Sequence, residues 1–332
     1  MSRRRRGIER LLDRIEDRLV DAPPGLHWAG DPAPPDAVSA LALDPDDASF
    51  FRRWNGLRIA NEDVVIHAVE AVEAATAAAA AEEGRLRSGD RVVGEQGRDL
   101  LVLPADPWEE GAGLSLVEET GERWPEATNL ARFVLGSLAV AAVLYDEEGE
   151  FREGVVDEDG TLAASVERKL LRRRLDFDPH APAPRYRLAR SLQRAGELRA
   201  AAAELGRVVE LAPMFAWGHL ARGEVLEAQG HVREALGCYE AASERFDDPD
   251  VSAHALACAA FAASLAGDEA RRADLAGRVL RVRPEFAAQT EAAAQHELAR
   301  GHRSAARRMV QLGRAVSPRQ ISLLDLERRL RE

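Results

Sequence analysis

The sequence predicts an α+β N-terminal domain, a mixed sheet with helices, followed by an all-α domain of helical repeats. Three observations carry this reading. Gly196, Gly230, Gly267 and Gly301 are separated by 34, 37 and 34 residues. Pro179, Pro213, Pro284 and Pro318 are separated by 34, 71 and 34, the same interval with three residues added in the middle. Charge also divides the chain: residues 1–160 hold 17 arginines and 34 acidic residues (net −17), whereas 161–332 hold 28 basic and 23 acidic residues (net +5), giving −12 for all 332 residues. A 34-residue interval with glycine at one phase and proline at another marks helix-turn-helix units stacked in a row.

The first half reads element by element. Leu11, Leu12, Ile15 and Leu19 have helical spacing. No apolar run follows the basic Arg3–Arg6 stretch, which argues against secretion. Residues 21–38 hold five prolines in eighteen positions and read as loop. Residues 46–57 read as a short helix ending at Gly56, anchored by Phe50, Phe51 and Trp54. Residues 57–72 read as a strand followed by a helix, and alanine propensity extends that helix through 70–84. In 90–106, the runs RVVG and DLLVLP flank a glycine-bearing turn, as in a hairpin. Another strand follows at 113–120, then an apolar helix over 129–144 with Asn129 as its N-cap. Strands with helices at the ends give an α+β domain, placed at 1–145. Residues 146–181 form an acidic connector, with a small hairpin at Glu148-Gly149 and a lone helix over 161–178.

The second half divides into four repeats, about 182–215, 216–252, 253–286 and 287–320, with a capping helix over 320–332 to cover the last apolar face. In the first repeat, helix A spans about 182–195 and helix B about 198–211. Gly196 supplies the positive φ of the turn between them, and Pro213 blocks continuation of helix B. Ala189, Ala201, Ala235 and Ala306 stand where helices must approach closely. Leu188, Leu192, Leu205, Val208, Leu236, Tyr239, Val279 and Leu280 fill the spaces between. The three added residues fit a turn-rich insertion at 246–250, FDDPD.

Segments such as YRLARSLQRAGELRAAAAELGRVVELAP and ARGEVLEAQGHVREALGCYEAA resemble tetratricopeptide (TPR) repeats. The resemblance implies a curved array whose A helices line a groove for another polypeptide. A second resemblance covers roughly residues 5–145: an opening helix, the Trp54-Asn55-Gly56 signature, the VVGEQGRDLLVL hairpin and a late LARFVLGSL helix. This order is similar to the SUKH superfamily, related to fungal cell-wall-synthesis regulators and bacterial toxin-immunity proteins. It implies a domain that binds other proteins, often a toxin, without catalysis of its own.

The chemistry-bearing residues fit plainer roles. The eight histidines form no HExxH, and the two cysteines form no CxxC, so no metal site and no cofactor is expected. His254 and Cys258 share a helix face, but a small buried hydrophobe is the commoner role for cysteine. The acidic turns at 146–150 and 157–160 lack EF-hand spacing. Neither GxxxxGK[ST] nor GxSxG occurs, and no nucleophile–base set points to an enzyme. Few cysteines favour a reducing cytoplasm, and no apolar run approaches the ~20 residues of a membrane span.

Arg168, Lys169, Arg172, Arg173 and Arg174 form a basic cluster ahead of the repeats. Arg187, Arg190 and Arg194 recur at helical spacing beside Tyr186. By TPR counting these last four, with Trp217 and Glu224, line the groove and would meet a partner's carboxylates. A solvated helix face is the alternative. A third reading is intramolecular, basic helices 165–194 against the acidic first half. Trp217 reads equally as a contact anchor or as packing between repeats. Trp54 reads first as core, and Asn55 and Gly56 as largely structural. The acidic chain, without aromatics on a basic sheet, argues against nucleic acid. The expected function is therefore non-enzymatic binding of a protein or peptide, either toxin immunity or a scaffold whose groove captures a peptide.

Overall fold

Every strand of the sheet pairs with its neighbour in sequence, some across tight turns and others across intervening helices. The computed structural model describes residues 3–82, 84–158 and 160–331. These form two compact units: the described residues up to Ala195 together with Glu210–Met214, and Gly196–Val209 with the described residues from Phe215 onward.

The first unit opens with α1 (Arg3–Val20), β1 (Trp28–Ala29), α2 (Pro35–Ala40) and α3 (Pro45–Phe51). Next come β2 (Leu57–Ile59), β3 (Val64–Ile66), α4 (Val69–Ala80), β4 (Arg91–Gln96), β5 (Asp99–Leu103), α5 (Pro107–Glu110), β6 (Leu114–Val117) and β7 (Arg123–Ala127). It closes with α6 (Leu130–Leu144), α7 (Ala164–Phe177) and α8 (Pro182–Arg194). The strands form one antiparallel seven-stranded sheet in the order β1 to β7. Both sheet faces are covered. Val93, Leu101 and Leu114 join the core with α1, α3 and α6, while Val92, Leu100, Val102 and Val117 join Ala79 of α4. This is why DLLVL is apolar at every residue but the first, without strict alternation.

Several expectations are corrected here. Residues 21–38 contain β1 and the start of α2, with Pro35 at the first helical position where its missing N–H is harmless. The helix over 46–57 stops at Phe51, and Gly56, at φ +94°, turns the chain into β2. Residues 57–72 hold a hairpin ahead of α4, turned by Ala60, Asn61 and Glu62, all at positive φ. β7 was not expected. Its Pro125 lies at the end of the strand order and beside a register shift, the positions where a strand tolerates proline. Around Glu148-Gly149, Tyr145 and Phe151 are bridged antiparallel. Asn129 caps α6, its side chain accepting the Arg132 amide at 2.9 Å. α7 packs on α6, and α8 on α7 and β7.

The second unit is helical: α9 (Leu198–Leu211, its last two residues counted with the first unit), α10 (Ala216–Ala228), α11 (Val232–Ser243), α12 (Pro249–Leu265), α13 (Glu269–Val282), α14 (Phe286–Ala299), α15 (Arg303–Val316) and α16 (Ile321–Arg331). Gly196, Gly230, Gly267 and Gly301 all have φ between +75° and +83°, so the glycine period is the period of the turns. The four interhelical alanines named above are fully buried. Gly223 lets α10 approach the Tyr239 ring so closely that a Cβ there would lie 2.6 Å from it.

α10 to α13 stack in sequence order, and the fourth pair departs from that pattern. α15 packs on both α12 and α13. Its Leu312, Ala315 and Val316 join the α12 core, while Ala306 and Val310 meet Leu323, Leu326 and Leu330 of α16. α12 is apolar almost all round, which suits a helix packed on several sides. Of the turn-rich insertion 246–250, residues 246–248 lie between α11 and α12; Asp248 caps α12, Pro249 occupies its first position, and α12 runs 17 residues where α10 has 13. The helix of this region begins at Pro249.

Candidate functional site

The Trp54-Asn55-Gly56 motif knits elements together. Trp54 is buried against Phe50, with ring centroids 5.4 Å apart. Asn55 Oδ1 accepts the Val69 amide at 2.8 Å, and its Nδ2 donates to Glu70 at 3.0 Å. Its backbone N–H donates to Asp31 O at 2.7 Å. One asparagine thus satisfies the first amide of α4, whose own N-cap, Ala68, has no side chain to do so.

On α8, the predicted residues sit in different surroundings. Tyr186 packs at 5.5 Å against Trp124 of β7. Arg187 donates Nη1 to both oxygens of Glu126, at 2.9 and 2.7 Å, and its guanidinium lies 5.8 Å from the Trp124 ring. Arg174 of α7 donates to the same Glu126 carboxylate, which is buried. Burial lowers the Arg174 pKa, with Glu126 opposing that fall. Arg190 donates to Gln193 at 2.9 Å. Arg194 pairs with Glu167 at 2.7 Å from a largely exposed position. Glu126 was not singled out in the sequence. A single glutamate in RWPEA carries no periodic signal, and only the fold brings two arginines to it.

In the second unit, Trp217 stands edge-on to Phe246 at 4.9 Å. Trp217 and Glu224 are seven residues apart on α10, share one face, and are both partly exposed. One turn after Glu224, a polar cluster centres on Glu227. Tyr239 Oη donates to Glu227 at 3.0 Å, and Arg308 donates to both Glu227 oxygens. His254 Nε2 lies 3.7 Å from Cys258 Sγ. Burial pushes the Cys258 thiol up to about 12 and His254 down. This pair therefore does not supply the thiolate–imidazolium couple of a cysteine nucleophile.

Among the described residues, no group of three or more His, Cys, Asp or Glu side chains is placed to hold a metal ion. The Asp146 carboxylate instead accepts the amides of Glu148 and Glu150 within its own turn. No helix among the described residues is long and apolar enough to cross a membrane.

No family model matches the chain. No curated protein matches it. Similarity is found with solved structures. MamA from Desulfovibrio magneticus RS-1 aligns with a TM-score of 0.36 and 16% identity, over 50% of this chain and 86% of that one. PilF of Pseudomonas aeruginosa aligns at 0.37 and 18%, over 50% and 75%. A thermophilic TPR protein of Thermus thermophilus aligns at 0.32 and 18%, over 51% and 89%. These are TPR proteins.

Proposed function

We propose that this chain is a non-enzymatic scaffold whose helical repeats hold a partner protein or peptide. The observation that carries the reading is the stack α10–α13, which presents a partly open tryptophan, braced by Phe246, on the same face as Glu224. A braced amphipathic ring is a suitable anchor for another chain. Glu224, two turns further along the same face, favours a basic group at that spacing from the partner's apolar contact. The scaffold reading is preferred to toxin immunity because the partly exposed anchor lies in the helical repeats, not in the first half whose resemblance carries the immunity reading. The reading also takes helices 165–194 as docking on the acid-rich half, supported by the Arg174 and Arg187 pairs with Glu126. Two free cysteines, Cys238 and Cys258, support a reducing cytoplasm.

A photo-crosslinking side chain placed at 217 or 224 tests the proposal, with exposed Arg233 as the control position. Discrete adducts at 217 and 224, absent at 233, are expected. The same adduct pattern at all three positions would overturn the assigned face.

A further inference from the structure

Trp108 of α5 is the most exposed large apolar side chain among the described residues, at 92%. The loop that carries it is firmly held. Asp106 accepts the Trp108 and Glu109 amides at 2.9 and 3.1 Å, and Pro107 occupies the first position of α5. Glu110 accepts from Arg87 and Arg123 at 2.6 and 2.7 Å, and Gly111 lies so close to Ala212 that a Cβ would have no room. A scattered exposed aliphatic residue needs no explanation. An indole held out on a fixed base differs, because it loses little freedom when a partner covers it, and tryptophan is a favoured interface anchor. Asp106 and Glu109 flank the ring, and neither is ion-paired among the described residues. A pocket that receives this loop must be both apolar and basic.

The second unit holds such a cleft, of about 590 Å³, walled by α12, α13, α15 and α16. Phe261, Leu265 and Val310 make its apolar part, and Leu265 is itself 52% exposed. Its charged lining residues are four arginines and two glutamates, a net +2 that matches the −2 of Asp106 and Glu109. Arg272 pairs with Glu269, and Arg314 and Arg331 share Glu327. Arg307 meets only the Leu330 carbonyl, at 3.1 Å.

We propose that the chain self-associates head to tail, the Trp108 indole of one copy seated in the arginine-rimmed cleft of another, with Asp106 and Glu109 facing Arg307 and Arg331. The contact joins two different surfaces, so it is heterologous, and each added copy brings one further anchor and one further cleft. Opposite charge on the two surfaces steers the encounter and fixes its register. The contact uses neither Trp217 nor Glu224.

The test is sedimentation velocity of the full-length chain from micromolar to submillimolar concentration. Average mass should rise with concentration and fall back as salt is added. Trp108→Ser, at a side chain almost wholly in solvent, should weaken association at least tenfold. So should Arg307→Glu combined with Arg331→Glu, and separately Leu265→Glu, which brings a carboxylate into the cleft by another route. Because a cleft variant can also lose fold, mixing is the second readout. Trp108→Ser keeps the cleft and each cleft variant keeps the anchor, so an equimolar mixture should form pairs and grow no further. The proposal is overturned by a wild-type mass that stays monomeric throughout, by Trp108→Ser associating as the wild type does, or by mixtures that remain monomeric with both cleft variants.

Discussion

Arg308 of α15 grips Glu227 of α10 through two contacts, at 2.6 and 3.2 Å, although 81 residues separate them. The same carboxylate accepts from Tyr239 Oη. Burial, then the neighbouring Cys258 and Glu227, raise the Tyr239 pKa, so the phenol remains a donor across the neutral range. In a regular array each repeat touches only its neighbours. Here the fourth helix pair is tied to the second, which should make the second unit unfold as one body. Arg308→Met and Glu227→Gln are each expected to cost about 1–3 kcal/mol, and the double variant less than the sum, by about 1 kcal/mol or more. A denaturant-based double-mutant cycle reads this directly, and strict additivity would show that the pair is idle.

Two glycines inside the repeat helices sit in opposite surroundings, and substitution should separate them. At Gly223 a Cβ would meet the Tyr239 ring at 2.6 Å, so Gly223→Ala should cost about 1–3 kcal/mol by overpacking. Gly237 of α11 has open space where a Cβ would go, and Gly237→Ala should stabilise by up to about 1 kcal/mol through helix propensity alone. Opposite signs in thermal melts are expected. Equal losses would mean that α10 and α11 are not packed as described.

Asn55 offers a way to separate structure from binding in the Trp54-Asn55-Gly56 motif. Its side chain caps the Val69 amide from outside the helix. Asn55→Ala should cost about 1 kcal/mol, the ordinary loss for an N-cap acceptor. Asn55→Asp keeps an acceptor at the start of α4 but sets a second carboxylate near Glu70, so it should recover only part of that loss. Chemical denaturation of the three proteins checks the ranking. Indifference to Asn55→Ala would leave the motif without this structural role.

How much of this was legible beforehand depended on whether the signal was local. The glycine turns, the Asn129 cap and the β4–β5 hairpin each rest on a few adjacent residues with one dominant conformational preference, and each appears where the sequence places it. The β2–β3 turn was hidden because Ala60, Asn61 and Glu62 adopt positive φ without a glycine. β7 was hidden by Pro125, which is tolerated only because of where the strand falls in the sheet. Arg187, Arg190 and Arg194 recur at helical spacing in the sequence. Their engagement with Glu126 and Glu167 depends on tertiary placement, which no spacing along the chain encodes.

The β2–β3 turn also supplies a pH dependence. His27 Nδ1 accepts the Ala60 amide at 3.1 Å, at the first of the three residues with positive φ. Accepting that bond requires the unprotonated nitrogen, and burial depresses the His27 pKa, only partly offset by the Leu26 backbone. The sign follows from proton counting. Below its ordinary value of about 6.5 the unfolded histidine takes up a proton while the folded one resists, so the folded state binds fewer protons. The stabilisation is therefore complete above pH 6.5 and is lost as pH falls through the depressed folded value. One such group changes stability by at most about 1.4 kcal/mol per pH unit. His254, also depressed by burial and then by Arg308, acts in the same direction in the second unit. His27→Ala should cost about 1–3 kcal/mol at pH 7.5, because the Ala60 amide loses its acceptor. It should also flatten the fall in stability between pH 6.5 and 5 relative to the unaltered chain. Urea titrations of both proteins at several pH values measure the two slopes. Parallel slopes would show that His27 gains its proton as readily folded as unfolded, and the turn would then need another explanation for its hold on Ala60.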